Sequence, residues 1–315
     1  MAILTVTLNP ALDVSTTVPK LRGGGAKLRC APPHEDPGGG GVNVSRAIRF
    51  LGGDSLALAA LAGATGARMH ELLTAEGIRT RLIPAPGDTR RSLSVIDESD
   101  GEQYRFLMPG PEWSAADVDA AAAAVADELG ARDLLIVSGS LPPGAPAELP
   151  ARLAAGAKAK GAVGLLDTSG PALEAAAAGK VGRGLILRMD HEEAEALAGR
   201  ALPEIAALGR FAADLRASGA AGTVLAAAGA EGTVLACAEG VFHAAPPRVE
   251  VVSKVGAGDS FVGAFAMTLA AGAPGPEALR VGVAAAAAAV TTPDTRLCTA
   301  EDVARITPGV VLREI

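Results

Sequence analysis

Along the 315-residue chain, short, mostly apolar runs alternate with longer stretches rich in alanine. Residues 3–8, 55–61, 133–138, 162–167, 184–188 and 223–227 are short and predominantly apolar. Such runs predict strands covered on both faces. Between them, 115–129, 145–159 and 204–218 predict helices, because alanine has the highest helix propensity and packs closely. Strand–helix alternation predicts an α/β fold: a mostly parallel sheet with helices on both faces.

Two segments in the N-terminal third break the rhythm. Residues 14–33 hold no good helix pattern and include Gly23, Gly24 and Gly25. Residues 91–108 alternate polar and apolar positions on either side of Asp100 and Gly101, a dipeptide suited to a tight hairpin turn. Together, 14–33 and 91–108 are expected to form a small β lid inserted into a core made of 1–13, 34–90 and 109–315. One face of that lid is left to bury against a ligand or a second subunit.

Composition narrows the partners. Aromatics are 3% of the chain against 39 glycines, which excludes an aromatic stacking platform for single-stranded nucleic acid as the leading reading. A net charge of −7 gives no field to attract a polyanion, although a few amides and basic side chains can still hold a small phosphorylated ligand. Cys30, Cys237 and Cys298 lie far apart with no CxxC, the pattern of reduced cytosolic thiols. The start, MAILTVTLNPALD, lacks a basic n-region, and the apolar run at 283–290 is shorter than the ~18 residues of a spanning helix. A soluble, cytoplasmic chain with no nucleic-acid or membrane partner is expected.

Two glycine clusters carry the candidate chemistry. Pro37 is followed by Gly38, Gly39, Gly40 and Gly41, then by Val44, Ala47, Ile48 and Leu51 at helical spacing. Glycines let backbone approach a ligand, and free amides at a helix start suit an anion or a sugar hydroxyl. Alone, the run is equally compatible with a flexible loop before an ordinary helix. The second cluster, Gly256, Ala257, Gly258 and Asp259, follows the strand-like 248–252 and opens a helix through Phe265 and Leu269. Its amides can stabilise a transferring phosphoryl group, and Asp259, kept ionised by the helix dipole, is a suitable base for a hydroxyl. The plain alternative is an aspartate that only caps. No GxxxxGK[ST] occurs and no GxGxxG follows the first strand. The four histidines have no metal-ligand spacing, and Ser138, Ser140 and Ser260 lack a GxSxG context.

In combination, TLNPALD, PGGGGVNVSRAI, SGSLPPG and VGAGDSFVGAF resemble the ribokinase-like (PfkB) family of ATP-dependent sugar kinases, in family order and across essentially the whole chain. AKLRC, DTRRSLSV, DGEQYRFLMPG and TRLC look closest to its 6-phosphofructokinase members. Related 1-phosphofructokinases and tagatose-6-phosphate kinases usually carry a lysine in the glycine run, where this chain reads GGGG. The resemblance implies a ribokinase-like three-layer α/β/α core with a small β-sheet lid that pairs with its counterpart in a homodimer. It implies transfer from ATP, with Mg²⁺, to the C1 hydroxyl of fructose 6-phosphate, as in glycolysis. Asp259 would be the base, with the amides of Gly256, Ala257 and Gly258 as the anion hole.

The same resemblance assigns the sugar hydroxyls to Asp13, placed at the end of the first strand, with Gly38, Gly39, Asn43 and Ser138. It assigns the 6-phosphate to Lys27 and Arg90 at the lid entries, and Arg105 on the hairpin reaches toward a neighbouring subunit's site. Arg188, Asp190, Glu193, Ala227, Gly229 and Gly232 fall on the nucleotide side, Glu193 positioning Mg²⁺ through water. A K⁺ loop is expected near Ser253, Val255, Ala289 and Thr292. Three departures stand out: Asp190 where the family has Asn, Lys254 for Ser or Thr, and Ala227 for Ser. They keep a non-catalytic sugar-phosphate or nucleotide sensor in play, beside a 1-phosphofructokinase or tagatose-6-phosphate kinase of the same fold.

Overall fold

In the computed structural model, which describes residues 1–25, 27–179, 181–292 and 297–315, the predicted apolar runs all become strands. The first half of the chain runs β1 (Ile3–Thr7), β2 (Ala11–Val18), β3 (His34–Gly38), α1 (Gly40–Phe50), β4 (Leu56–Ala59), α2 (Gly63–Ala75) and β5 (Arg79–Leu82). There follow β6 (Arg90–Asp97), β7 (Gln103–Leu107), α3 (Ala115–Glu128), β8 (Leu134–Ser138), α4 (Leu149–Ala159) and β9 (Val163–Asp167). Next come α5 (Gly170–Ala178), β10 (Gly182–Met189), α6 (His191–Ala198), α7 (Ile205–Ala217), β11 (Ala221–Ala227), β12 (Thr233–Cys237) and β13 (Gly240–Ala245). The chain continues through α8 (Ala257–Ala270), α9 (Gly275–Ala289), α10 (Ala300–Ile306) and β14 (Val311–Glu314).

Ten strands form one sheet in the order β14-β13-β12-β11-β10-β9-β8-β1-β4-β5. From β5 to β11 all neighbours are parallel, while β12, β13 and β14 extend one edge antiparallel. Alternate residues of the central strands feed two cores. Leu4, Val6, Leu135 and Val137 pack on one face beneath α3 and α4, and Ile3, Leu134 and Ile136 pack on the other beneath α8 and α9. Burial on both faces is why these runs are predominantly apolar, and why even Thr5 and Thr7 of β1 are buried. Few aromatics are needed because the helices approach closely: a Cβ at Gly282 of α9 would lie 2.9 Å from the Phe261 ring of α8.

The small sheet has the order β3-β2-β6-β7. β6 and β7 form the expected antiparallel hairpin, with Gly101 at φ 78° in its turn. The expected lid boundaries need correction. The lid boundaries at 13/14 and 33/34 cut through the sheet, since β2 begins at Ala11 and His34–Gly38 is itself a strand, paired antiparallel with β2. The central pair, β2 with β6, is parallel, so the sheet is mixed. Asp13 accordingly sits within β2, not at the end of the first strand.

The run 248–252 is not a strand. Pro246 and Pro247 lack the N–H a ladder needs, and the segment passes over the end of α9, where Val252 N–H donates to the Val290 carbonyl at 2.8 Å. Thr295 and Arg296 of TRLC, and Ala26 of AKLRC, lie outside the described residues. Among the described residues no helix is long and apolar enough to cross a membrane.

Candidate active site

The chain leaves β1 in one direction through β4 and β5, and in the other through β8 to β11, so the strand order reverses between β1 and β8. In open α/β sheets the carboxyl ends of the strands at such a reversal form a crevice. Ser138 ends β8, Asp167 ends β9, and Arg188 lies one residue from the end of β10. The N-termini of α1 and α8 project over this edge.

At α8, Gly256 takes a left-handed conformation (φ 76°) as the N-cap, and Ala257, Gly258 and Asp259 occupy the first turn. Their amides precede the first intrahelical bond, Ser260 N–H to Gly256 C=O at 2.9 Å, and so remain available to an anion. Asp259 Oδ2 accepts from Asn43 Nδ2 of α1 at 3.0 Å. Burial, followed by repulsion from Asp167, pushes the Asp259 carboxyl up to about 7, against the opposing pull of Asn43, Arg188 and Arg46. Burial thus opposes the helix dipole that was expected to keep Asp259 ionised. A carboxyl poised near neutrality is well matched to general-base work.

Asp167 was not foreseen. It is the cross-strand partner of Arg188 and holds its Nη1 at 2.8 Å, with the Ser138 hydroxyl 3.5 Å away. The guanidinium in turn lies over the α8 N-terminus, where a Cβ at Gly258 would come within 3.1 Å of Nη2. Its place at the carboxyl end of a predicted strand was the available signal.

The first glycine run serves close approach to protein. A Cβ at Gly38 would meet the Asp13 carboxylate at 2.1 Å, at Gly40 the Ser138 hydroxyl at 2.3 Å, and at Gly41 the Val6 carbonyl at 2.5 Å. Gly39 has φ 115° and abuts Thr7 and Pro10. The run thus seats α1 on the ends of β1 and β8, and places Asn43 beside Asp259.

A cleft of about 230 Å³ separates the small sheet from the loop before α8, lined by Asp13, Asp36, Ser92 and Arg105 on one side and Ser253 and Val255 on the other. Burial raises the Asp13 carboxyl pKa, while a hydrogen bond from Ser92 and the charges of Arg90 and Arg105 lower it. Burial lowers the Arg90 pKa, and its guanidinium donates to the carbonyls of Asn9 and Met108. Lys27 is exposed on the connection between β2 and β3.

On the other side, Asp190 caps α6: its carboxylate accepts from Glu193 N–H at 2.9 Å, and Glu193 accepts from Asp190 N–H at 2.8 Å. Burial raises the Glu193 carboxyl pKa. Ala227 ends β11, Gly229 (φ 56°) starts the short turn after it, and a Cβ at Gly232 (φ 103°) would strike the Ala244 carbonyl. Ser253 N–H donates to Val290 C=O at 3.2 Å and the Thr292 hydroxyl donates to Ala289 C=O at 2.8 Å, which brings the expected cation-loop residues Ser253, Ala289 and Thr292 to one place, with Val255 bonded to the Ser253 hydroxyl.

The pfkB family carbohydrate kinase pattern matches residues 8–302. The chain belongs to the pfkB family. This pfkB member is 39% identical over 305 residues to the ATP-dependent 6-phosphofructokinase isozyme 2 of Escherichia coli, covering 96% of this chain and 97% of that one. It is 33% identical over 267 residues to a 1-phosphofructokinase of Xanthomonas campestris, at 84% and 83% coverage. Solved structures of the Escherichia coli phosphofructokinase-2 in complex with fructose-6-phosphate and with potassium match it with TM-scores of 0.89 and 0.91 at 37% and 38% identity, each covering 98% of both chains. Arabidopsis thaliana ribokinase, at 19% identity, shares the fold with a TM-score of 0.72 over 98% of this chain and 99% of that one. The ribokinase-like fold expected from the motifs is the fold of this pfkB protein.

Proposed function

We propose that the protein is an ATP-dependent 6-phosphofructokinase acting in the cytoplasm, which transfers the γ-phosphoryl group of ATP to the C1 hydroxyl of fructose 6-phosphate. The observation that carries this reading is Asp259: buried, held by Asn43, and set in the first turn of α8, whose preceding loop faces Asp13 and Arg105 across the cleft. Asp259 takes the hydroxyl proton as the oxygen attacks phosphorus. The amides of Ala257 and Gly258, with Arg188 above them, stabilise charge on the transferring group. Asp13 orients the sugar hydroxyls and Arg90, Arg105 and Lys27 supply the positive charge its phosphate needs. The relative whose name specifies this activity supports the choice of substrate.

The half-buried Glu193 carboxylate supports a metal beside the triphosphate. One Glu193 oxygen accepts the Asp190 N–H, and its burial makes a nearby cation favourable, so Glu193 would hold Mg²⁺ through water. When bound, Mg²⁺ neutralises charge on the triphosphate. Ser253, Val255, Ala289 and Thr292 offer oxygen donors at the C-terminal end of α9, where the helix dipole favours a cation such as K⁺. Phe106 and Leu107 on β7, 49% and 66% exposed, support a homodimer through the small sheet.

The deciding experiment is a coupled ADP-release assay at fixed MgATP, with and without K⁺, across fructose 6-phosphate, fructose 1-phosphate, tagatose 6-phosphate and unphosphorylated sugars. Highest kcat/KM on fructose 6-phosphate supports the proposal. Preference for fructose 1-phosphate moves the protein to the second relative's activity, preference for a free sugar removes the roles of Lys27 and Arg90, and no turnover leaves a sensor.

A further inference from the structure

Arg46 is a buried charge that the proposed chemistry does not use. Its side chain is 6% exposed, and it sits on α1 one turn beyond Asn43. Nε and Nη2 each donate to a Glu76 oxygen at 2.7 Å, forming a bidentate fork. Nη2 also meets Asp36 Oδ1 at 3.4 Å, and Nη1 donates to the Pro37 carbonyl at 3.3 Å. Phe50, the next turn along, lies 5.8 Å from the guanidinium. Glu76 is the C-cap of α2, whereas Asp36 and Pro37 belong to β3. One core side chain therefore grips a core helix end and a strand of the small sheet together.

The place of this grip matters. Asp36 lies opposite Asp13 in the β2–β3 register and lines the same cleft, while Asn43 holds Asp259 on the core side. A route of direct contacts runs from Asp13 through Asp36 and Arg46 along α1 to Asn43 and Asp259. For packing alone, an apolar side chain of similar volume would serve at least as well as a buried ion pair. What it would not supply is a planar fork that fixes two partners in one geometry.

We infer that Arg46 is a positioning residue that sets the separation between β3 and α1, holding the sugar-binding side chains of the small sheet at working distance from Asn43 and Asp259. The inference rests on the sugar-phosphate reading above and adds to it the residue that couples the two halves of that site.

The test uses Arg46→Lys, which keeps the charge but loses the fork, and Glu76→Gln, which weakens the fork from its other end. Both would be measured in the full-length protein. The expected result is a rise of about tenfold or more in KM for fructose 6-phosphate, with KM for ATP changed by less than about twofold. In the ligand-free protein, hydrogen exchange at the β3 amides should quicken by about tenfold while the β6–β7 hairpin is unchanged. Unchanged KM for the sugar with unchanged β3 exchange overturns the inference. Equal rises in both KM values alongside a lowered denaturation midpoint also overturn it, because they mark a general structural role. If Arg46→Lys does not fold, Glu76→Gln decides by the same readings. If the wild-type protein does not phosphorylate fructose 6-phosphate, the proposed function falls, and β3 exchange in the variants alone decides the clamp.

Discussion

Replacing Asp259 by Asn separates its catalytic value from its cost to the fold. In the folded protein this carboxyl is pushed up to about 7 from 3.8, chiefly by burial and then by Asp167. Between those two pH values the folded state holds the proton more tightly than the unfolded chain, so stability falls as pH rises through the window. About three pH units at 1.36 kcal/mol each gives about 4 kcal/mol of stability lost once Asp259 is fully ionised. Asparagine keeps the shape and an acceptor for Asn43 Nδ2, but carries no charge at any pH. Urea denaturation should find Asp259→Asn more stable than wild type at pH 8.5 by up to about 4 kcal/mol, with the difference closing toward pH 4. Turnover should fall by about 100-fold to 10,000-fold, the usual contribution of a general base. Parallel stability–pH curves for the two proteins would refute the burial argument, and retained turnover would remove Asp259 as the base.

Other expectations follow from the same geometry. Asp167→Asn removes the like charge and releases Arg188, so the acid limb of kcat/KM should move to lower pH by about one unit or more; an unmoved limb contradicts the coupling. Arg90→Ala should raise KM for fructose 6-phosphate by about 10- to 100-fold, as expected for a lost charged hydrogen bond, and leave KM for ATP nearly constant in the same coupled assay. Asp190→Ala should cost about 1 kcal/mol by denaturation through loss of the α6 cap, whereas Asp190→Asn should be nearly neutral. Gly40→Ala drives a Cβ into the Ser138 hydroxyl, so thermal unfolding should occur several degrees lower, with raised KM for the sugar as Asn43 shifts.

Much of this molecule is visible in one sequence because its central strands are buried on both faces and advertise themselves as predominantly apolar runs. Asn43, Asp259 and the glycines around them were likewise legible, since each sits in a short segment whose residue types are tied to one backbone geometry. The rest depended on register. His34–Gly38 reads HEDPG, polar and containing a proline, and becomes a strand only because it pairs with β2 at the edge of the small sheet. Asp167 gains its meaning from facing Arg188 across the β9–β10 pair, which local pattern does not encode. The upward direction of the Asp259 shift is hidden from local sequence for the same reason. The dipole of its own helix is readable from sequence, whereas the burial and the neighbouring carboxylate that oppose it come from remote segments.

The parallel pairing of β2 with β6 has a kinetic consequence. Ala11–Val18 meets Arg90–Asp97 only after the intervening chain, with α1, β4, α2 and β5, has returned to the same edge. Closing so long a loop costs entropy that only an already docked core offsets. The small sheet is therefore expected to assemble last on refolding and to open first on unfolding. A refolding time course read by a probe on β6 should lag one read in the large sheet, and catalytic activity should return with the slower of the two.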